Sequence, residues 1–112
     1  MSINTDVLKR KQLRGDIVTK LYKDFNDPPL PVGTLILIMR EDYSGADAEV
    51  PSQLRYLADP GKDFVRIIYK DGAEPDRTPM RSAFVQLTAN GVNLAEGDVE
   101  DSGVIFGDAE RA

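Results

Sequence analysis

Residues 81–97, RSAFVQLTANGVNLAEG, contain the pattern from which we infer the fold. Apolar residues alternate with other side chains over residues 81–87, which predicts a strand with one buried face. The residues on that face are Ala83, Val85 and Leu87. Thr88 can then cap a short helix over residues 89–95, and Gly97 can end it. The pattern therefore predicts a strand that passes directly into a helix.

A second strand is predicted just upstream, over residues 64–69. Its sequence, FVRIIY, is rich in β-branched and aromatic residues, which favour strands. Residues 70–79 contain an Asp-Gly pair and two prolines, as expected of a long turn. We therefore expect the strands at 64–69 and 81–87 to form a hairpin with a long loop.

Helices are predicted before the hairpin, and the first of them runs from Asn4 or Thr5 to about Asn26. Its apolar residues recur at helical spacing and are Leu13, Ile17, Val18, Leu21, Tyr22 and Phe25. The sequence DPPLP at residues 27–31 ends this helix, because proline lacks an amide donor and restricts the residue before it.

The apolar run at residues 34–41, TLILIMRE, is compatible with a buried strand or a short core helix. Thr34 as an N-cap favours the helix. Residues 42–47 then resemble a turn, since they contain a glycine and side chains that can cap a helix. The spacing of their oxygen-bearing side chains does not fit a calcium loop. A third helix is predicted from Ala48 or Pro51 through Ala58. The residues that would face the core are Val50, Leu54 and Leu57.

Composition limits the classes of function. The chain has 112 residues, of which 41% are hydrophobic, so we expect one domain over residues 1–97 followed by a tail over residues 98–112. It contains no cysteine and no histidine, which excludes thiolate and histidine metal sites and a cysteine nucleophile. No glycine-rich phosphate loop, dinucleotide fingerprint or nucleophile elbow occurs. We therefore expect a binding protein without cofactor or metal, and not an enzyme.

The net charge of −5 is unevenly distributed along the chain. Residues 96–112 carry six acidic side chains and one arginine, so the remaining 95 residues are balanced. The sequence has neither a membrane-spanning apolar run nor a secretory signal, and we expect a cytoplasmic protein. An acidic tail and a neutral body are unusual for a DNA-binding domain, which more often has a basic face.

The order of three helices, a strand, a long loop, a strand and a last helix resembles the winged helix-turn-helix arrangement, which is an α+β fold with a two-stranded wing. Residues 50–57, VPSQLRYL, resemble a recognition helix, and residues 62–65, KDFV, resemble its junction with the first wing strand. Residues 85–97 resemble the closing strand-to-helix passage of bacterial winged-helix regulators, including the multiple-antibiotic-resistance-regulator type.

Among such proteins, the chain most resembles short single-domain winged-helix proteins of Mu-like prophages. The likeness covers residues 5–97 by element order, whereas the long wing loop and the acidic tail depart from it. It implies a transcriptional regulator that is a homodimer in contact with double-stranded DNA.

In that arrangement the third helix lies in the major groove, and its polar side chains face the bases. The residues that the resemblance places there are Ser52, Gln53, Arg55 and Tyr56. Cations of the junction, the wing strands and the wing loop would contact phosphates, as would a cluster on the first helix. These cations are Lys62, Arg66, Lys70, Arg77 and Arg81, together with Lys9, Arg10, Lys11 and Arg14.

Other interpretations of these residues remain open. The same polar residues are compatible with an ordinary exposed helix surface and a solvated basic face, and the wing could meet another protein. The acids at residues 41–49 would repel phosphates if they share the face of the third helix. The alternative function is therefore a protein-interaction module without DNA binding. The apolar residues 104–106 suggest that the tail docks on the domain or on a second copy, and the acidic tail could compete with DNA for the basic cluster of the first helix.

Overall fold

The computed structural model describes residues 5–25 and 28–107. Some of the sequence predictions lie outside these residues: Asn4 as a helix cap, Asn26 as a helix end, Asp27 as part of the stop, and the charged residues of 108–112. Within the described part, no helix combines the length and the hydropathy needed to cross a bilayer.

The described residues form four α-helices and one antiparallel sheet of three strands. In chain order the elements are α1 (Thr5–Asp24), β1 (Leu30–Pro31), α2 (Val32–Met39), α3 (Ala46–Leu57), β2 (Val65–Ile68), β3 (Phe84–Leu87) and α4 (Ala89–Glu96), with a 3-10 turn at Met80–Ser82. The predicted α+β class is confirmed.

The sheet has one strand more than the sequence predicts. Its order is β1-β3-β2, and in β1 Leu30 pairs with Val85 and Pro31 with Phe84. The prolines around β1 led us to predict only a helix stop there. An edge strand accommodates proline, because one side of it makes no ladder hydrogen bonds. The prediction of two strands was therefore wrong by one short edge strand.

The ambiguous run after β1 is a helix, and its strand alternative was wrong. Thr34 is not its cap, because α2 begins at Val32 directly after Pro31. Helix α3 begins at Ala46, two residues before the first and five before the second of its predicted starts, Ala48 and Pro51. The residue before it, Gly45, adopts a left-handed conformation (φ 76°) that ends the preceding turn.

The core forms where α1 packs against α3 and the sheet. The apolar stripe predicted for α1 is buried at Leu13, Ile17, Val18 and Leu21, and it meets the buried residues Val50, Leu54 and Leu57 of α3. Val85 and Leu87 of β3 and Ala83 just before it are buried as the alternation predicts, but residues 81 and 82 belong to the 3-10 turn, so the strand begins three residues later than predicted. At the start of α4 the Thr88 hydroxyl accepts a hydrogen bond from the Gly91 amide at 3.0 Å, which confirms the predicted cap.

The segment after α4 does not extend away from the domain. Residues 98–106, here called the C-terminal strap, return across α1 and α3, and Val104 is buried in the core. The Ile105 amide donates to the Lys11 carbonyl of α1 at 3.0 Å. The sequence left open whether the tail docks on the domain or on a second copy of the chain. Residues 98–106 dock on the domain.

Candidate nucleic-acid interface

Helix α3 presents an exposed ridge formed by Ala48, Ser52 and Arg55. These positions follow one another at four- and three-residue spacing, so they share one face opposite the buried stripe. Arg55 makes no ion pair within the described part of the chain. The α3 ridge is thus the part of the predicted recognition surface that is open to a ligand.

One of the acids of residues 41–49, Asp47, is compensated on the flank of α3 that lies beside Arg81 of the β2–β3 connection, here called the hairpin flank. Arg40 donates two hydrogen bonds to Asp47, each of 2.7 Å, and Arg81 lies 3.7 Å from the same carboxylate. The hydrogen bond from Arg40 is the main reason that the pKa of Asp47 lies below its usual value. The ridge is therefore bordered by a carboxylate with two arginines rather than by an isolated negative charge.

On the opposite flank, Gln53 is buried, whereas the sequence predicted that it would be exposed. Its side chain is 3% exposed; its Oε1 accepts from Arg14 at 2.7 Å, and its Nε2 donates to Glu49 at 3.1 Å. A glutamine committed in this way has no free edge for a base. The expectation that Gln53 points outward was wrong because its position falls between the buried stripe and α1.

Tyr56 lies beside Gln53, and its hydroxyl donates to Asp101 of the strap at 2.7 Å. The second oxygen of Asp101 pairs with Lys62 at 2.9 Å. Arg14 lies over the Tyr56 ring, 3.7 Å from the centroid, and donates to the Gly103 carbonyl at 2.9 Å. We call Arg14, Gln53, Tyr56, Lys62 and Asp101 the strap network.

Asp101 is held in its charged form within this network. Burial favours the neutral acid, but hydrogen bonds from Lys62, Tyr56 and the Gly103 amide outweigh it, so the pKa of Asp101 lies below its usual value. Hydrogen bonds with Asp101 and with Tyr56 raise the pKa of Lys62. Burial raises the pKa of Tyr56, and its hydrogen bond to Asp101 raises it further. Both sides of the ion pair are thereby stabilised in the charged state.

Two close backbone contacts fix the course of the strap. A Cβ at Gly15 would lie 1.9 Å from the Ile105 carbonyl oxygen, and one at Gly103 would lie 2.1 Å from the Tyr56 hydroxyl. A side chain at Gly15 requires the strap backbone to shift, and one at Gly103 requires the strap or the Tyr56 side chain to shift. The strap therefore occupies a groove that fits its backbone closely.

The hairpin carries the remaining predicted cations. Arg66 on β2 and Lys70 in the loop are exposed. Arg77 is 84% exposed and lies 3.4 Å from Glu74. These side chains are available to an anionic ligand, although acids of the same loop reduce the local positive potential.

The basic cluster predicted on α1 is divided between two places, a cleft and the groove of the strap. Lys9 and Arg10 are exposed and line a cleft of about 510 Å³ with acidic side chains, including Asp42 and Glu49. Lys11, by contrast, offers its carbonyl to the strap. The described residues contain no group of acidic side chains that could hold a metal ion.

The structure also brings together residues that the sequence analysis did not select. Asp101 and Gly103 contact the predicted site residues Tyr56 and Arg14. Gly15 lies against Ile105 of the strap, and Arg40 binds Asp47, which also pairs with the predicted Arg81. A signal was present for the strap, because the apolar residues 104–106 are out of place in a solvated acidic tail. No sequence signal paired Asp101 with Tyr56, which lies 45 residues earlier.

Comparison of the chain with protein-family models, with curated proteins and with solved structures found no match.

Proposed function

We propose that this chain is a winged-helix protein that binds double-stranded DNA through the α3 ridge and the β2–β3 hairpin, and that it acts as a transcriptional regulator of phage or prophage type. The order of elements supports the fold, since α1, α2 and α3 precede an antiparallel hairpin that is followed by α4. The regulator type rests on the resemblance of residues 85–97.

The observation that carries the proposal is the exposure of Ser52 and Arg55 on α3. Arginine can donate two hydrogen bonds to guanine in the major groove, and serine can contact any base. Asp47 would otherwise repel phosphates, but it is compensated by two arginines. Arg66 and Lys70 of the hairpin are also exposed, and in this arrangement they would contact phosphates beside the groove.

A fluorescence-anisotropy titration of the full chain against labelled random-sequence duplex tests this interface. Binding to random-sequence duplex is non-specific, so an exposed cation of the ridge acts there through phosphates. We therefore expect Arg55→Ala to weaken binding at low salt and to reduce the slope of log affinity against log salt by about 1. Lys23→Ala is the matched control, since it removes one exposed cation of α1 outside the proposed interface. Equal effects of the two substitutions would contradict a role for the α3 ridge.

One observation favours the alternative, a protein-interaction module of the same fold. Leu37 on α2 is 54% exposed, more than any other large apolar side chain of the described residues. The resemblance also implies a homodimer. If Leu37 lies in a homodimer interface of such a module, Leu37→Ser would lower the mass observed by sedimentation equilibrium, and the wild-type chain would not bind duplex DNA at low salt; an unchanged mass would contradict that role.

A further inference from the structure

We propose that the C-terminal strap is an autoinhibitory element, which holds Arg14, Tyr56 and Lys62 in the strap network and withholds them from nucleic-acid phosphates. This inference rests on the proposed function, because it concerns the flank of the same helix. It assigns a role to residues 98–106 that differs from a general competition between an acidic tail and the basic cluster of α1. Lys9 and Arg10 of that cluster stay exposed beside their own cleft.

The strap network borders the proposed DNA-binding surface. Tyr56 follows Arg55 directly on α3, so the strap network lies next to the exposed ridge. A recognition helix in the major groove is flanked on both sides by phosphates. Arg14 and Lys62 are the cations on this flank, and both are engaged by the strap.

Asp101 occupies the place that a phosphate would take, since it accepts from both Tyr56 and Lys62. The strap also carries the exposed acids Asp98 and Glu100, three residues and one residue before Asp101. With the strap docked, this flank repels a polyanion; with the strap released, two cations and a phenolic donor become available to it.

The strap is fixed by its backbone as well as by its charge, through the Ile105 bond to Lys11 and the contact of Gly103 with Tyr56. Release of the strap therefore requires these backbone contacts to break, and screening of its charge by salt is not enough. It can be produced by a substitution that leaves the net charge unchanged.

Gly103→Ala is that substitution, because its Cβ would meet the Tyr56 hydroxyl while the charge of the full chain stays constant. We expect faster hydrogen exchange at the Ile105 amide, tighter binding to random duplex DNA at low salt, and a salt slope steeper by about 2, since Arg14 and Lys62 each become free for a phosphate. Asp101→Ala is the second variant, with the exposed Glu100→Ala as its charge-matched control.

The outcomes separate the two proposals. If Ile105 exchanges faster in Gly103→Ala while DNA affinity and salt slope equal those of the wild type, the autoinhibition is wrong and DNA binding stands. Equal gains from Asp101→Ala and Glu100→Ala, with no gain from Gly103→Ala, would also overturn it, because charge alone would then act. If neither the wild type nor any variant binds DNA at low salt, the proposed function itself fails.

Discussion

On the hairpin flank of α3, Asp47 forms ion pairs with Arg40 and Arg81 through side chains that are about half exposed. On the opposite flank, where the strap lies, Gln53 is 3% exposed. The side chain of Asp101, which accepts a hydrogen bond from Tyr56, is 5% exposed. Exposed ion pairs contribute little to stability because water and salt screen them, whereas buried polar groups must keep their partners. The hairpin flank can therefore exchange its partners for phosphates at small cost, while the strap flank must be opened.

The largest effect is expected from Gly15→Ala, which tests whether the strap flank is close-packed. The new Cβ would approach the Ile105 carbonyl to 1.9 Å, so the strap must shift and its contacts with α1 must weaken. We expect a loss of about 1 to 3 kcal/mol in the free energy of unfolding, as for other overpacked sites. Urea denaturation followed by circular dichroism measures it.

Gly33→Ala in α2 is the control, since its Cβ would lie no nearer than 3.7 Å to the side chain and carbonyl of Arg81. In a helix, alanine replaces glycine with a gain of up to about 1 kcal/mol. The two substitutions should therefore act in opposite directions. A stabilising Gly15→Ala would show that the strap does not lie on α1 in solution.

Local sequence pattern predicted the helices and the hairpin, because each depends on neighbouring residues. The Thr88 cap and the buried faces of α1 and β3 follow from short-range spacing alone. Strand β1 was missed because its two residues are held by pairing with β3, and nothing in Leu30 and Pro31 themselves indicates a strand.

The candidate site was less predictable, for a physical reason. The burial of Gln53 depends on Arg14, 39 residues earlier, which in turn donates to the strap. Helical periodicity places Gln53 at the border of the buried stripe, where a neighbouring segment decides its exposure. Ser52 and Arg55 lie near the centre of the outer face, so their exposure followed from periodicity.

The next largest effect is expected from Arg14→Ala, which breaks the strap network at the residue that joins α1, α3 and the strap. The buried Oε1 of Gln53 would lose its donor, and the Tyr56 ring would lose the cation above it. We expect a destabilisation of about 1 to 2 kcal/mol, because an unsatisfied buried acceptor retains its desolvation penalty. Thermal and urea unfolding should agree on it.

Arg10→Ala removes the same charge from an exposed position of α1 and is the matched control. We expect it to change the unfolding free energy by less than about 0.5 kcal/mol. If both substitutions destabilise the chain equally, the loss reflects charge on α1 and not the network.

A smaller effect, dependent on pH, is expected from Asp101. Its pKa is lowered in the folded chain although burial opposes this, because Lys62, Tyr56 and the Gly103 amide hydrogen bond to the carboxylate; Arg14 is the other charged group of the network. A lowered pKa contributes stability that is present above the unfolded value near 3.8 and is lost as the pH falls through the folded pKa.

Asp101→Asn should therefore be less stable than the wild type at pH 7 and should approach it as the pH falls below about 4. The measurement is the difference in urea midpoint between the two chains across this range. A difference that stays constant with pH would mean that the carboxylate charge does not hold the strap.

The smallest effect on stability is expected from the same substitution on the other flank, Asp47→Asn. Its partners Arg40 and Arg81 are half exposed, so the loss of these ion pairs is largely compensated by water. We expect a smaller shift in the urea midpoint at pH 7 than Asp101→Asn causes, together with tighter and more salt-dependent DNA binding, because two arginines beside the α3 ridge lose their internal acid. A shift as large as that of Asp101→Asn, without a gain in DNA affinity, would mean that Arg40 and Arg81 hold the turn before α3 and are not available to phosphates.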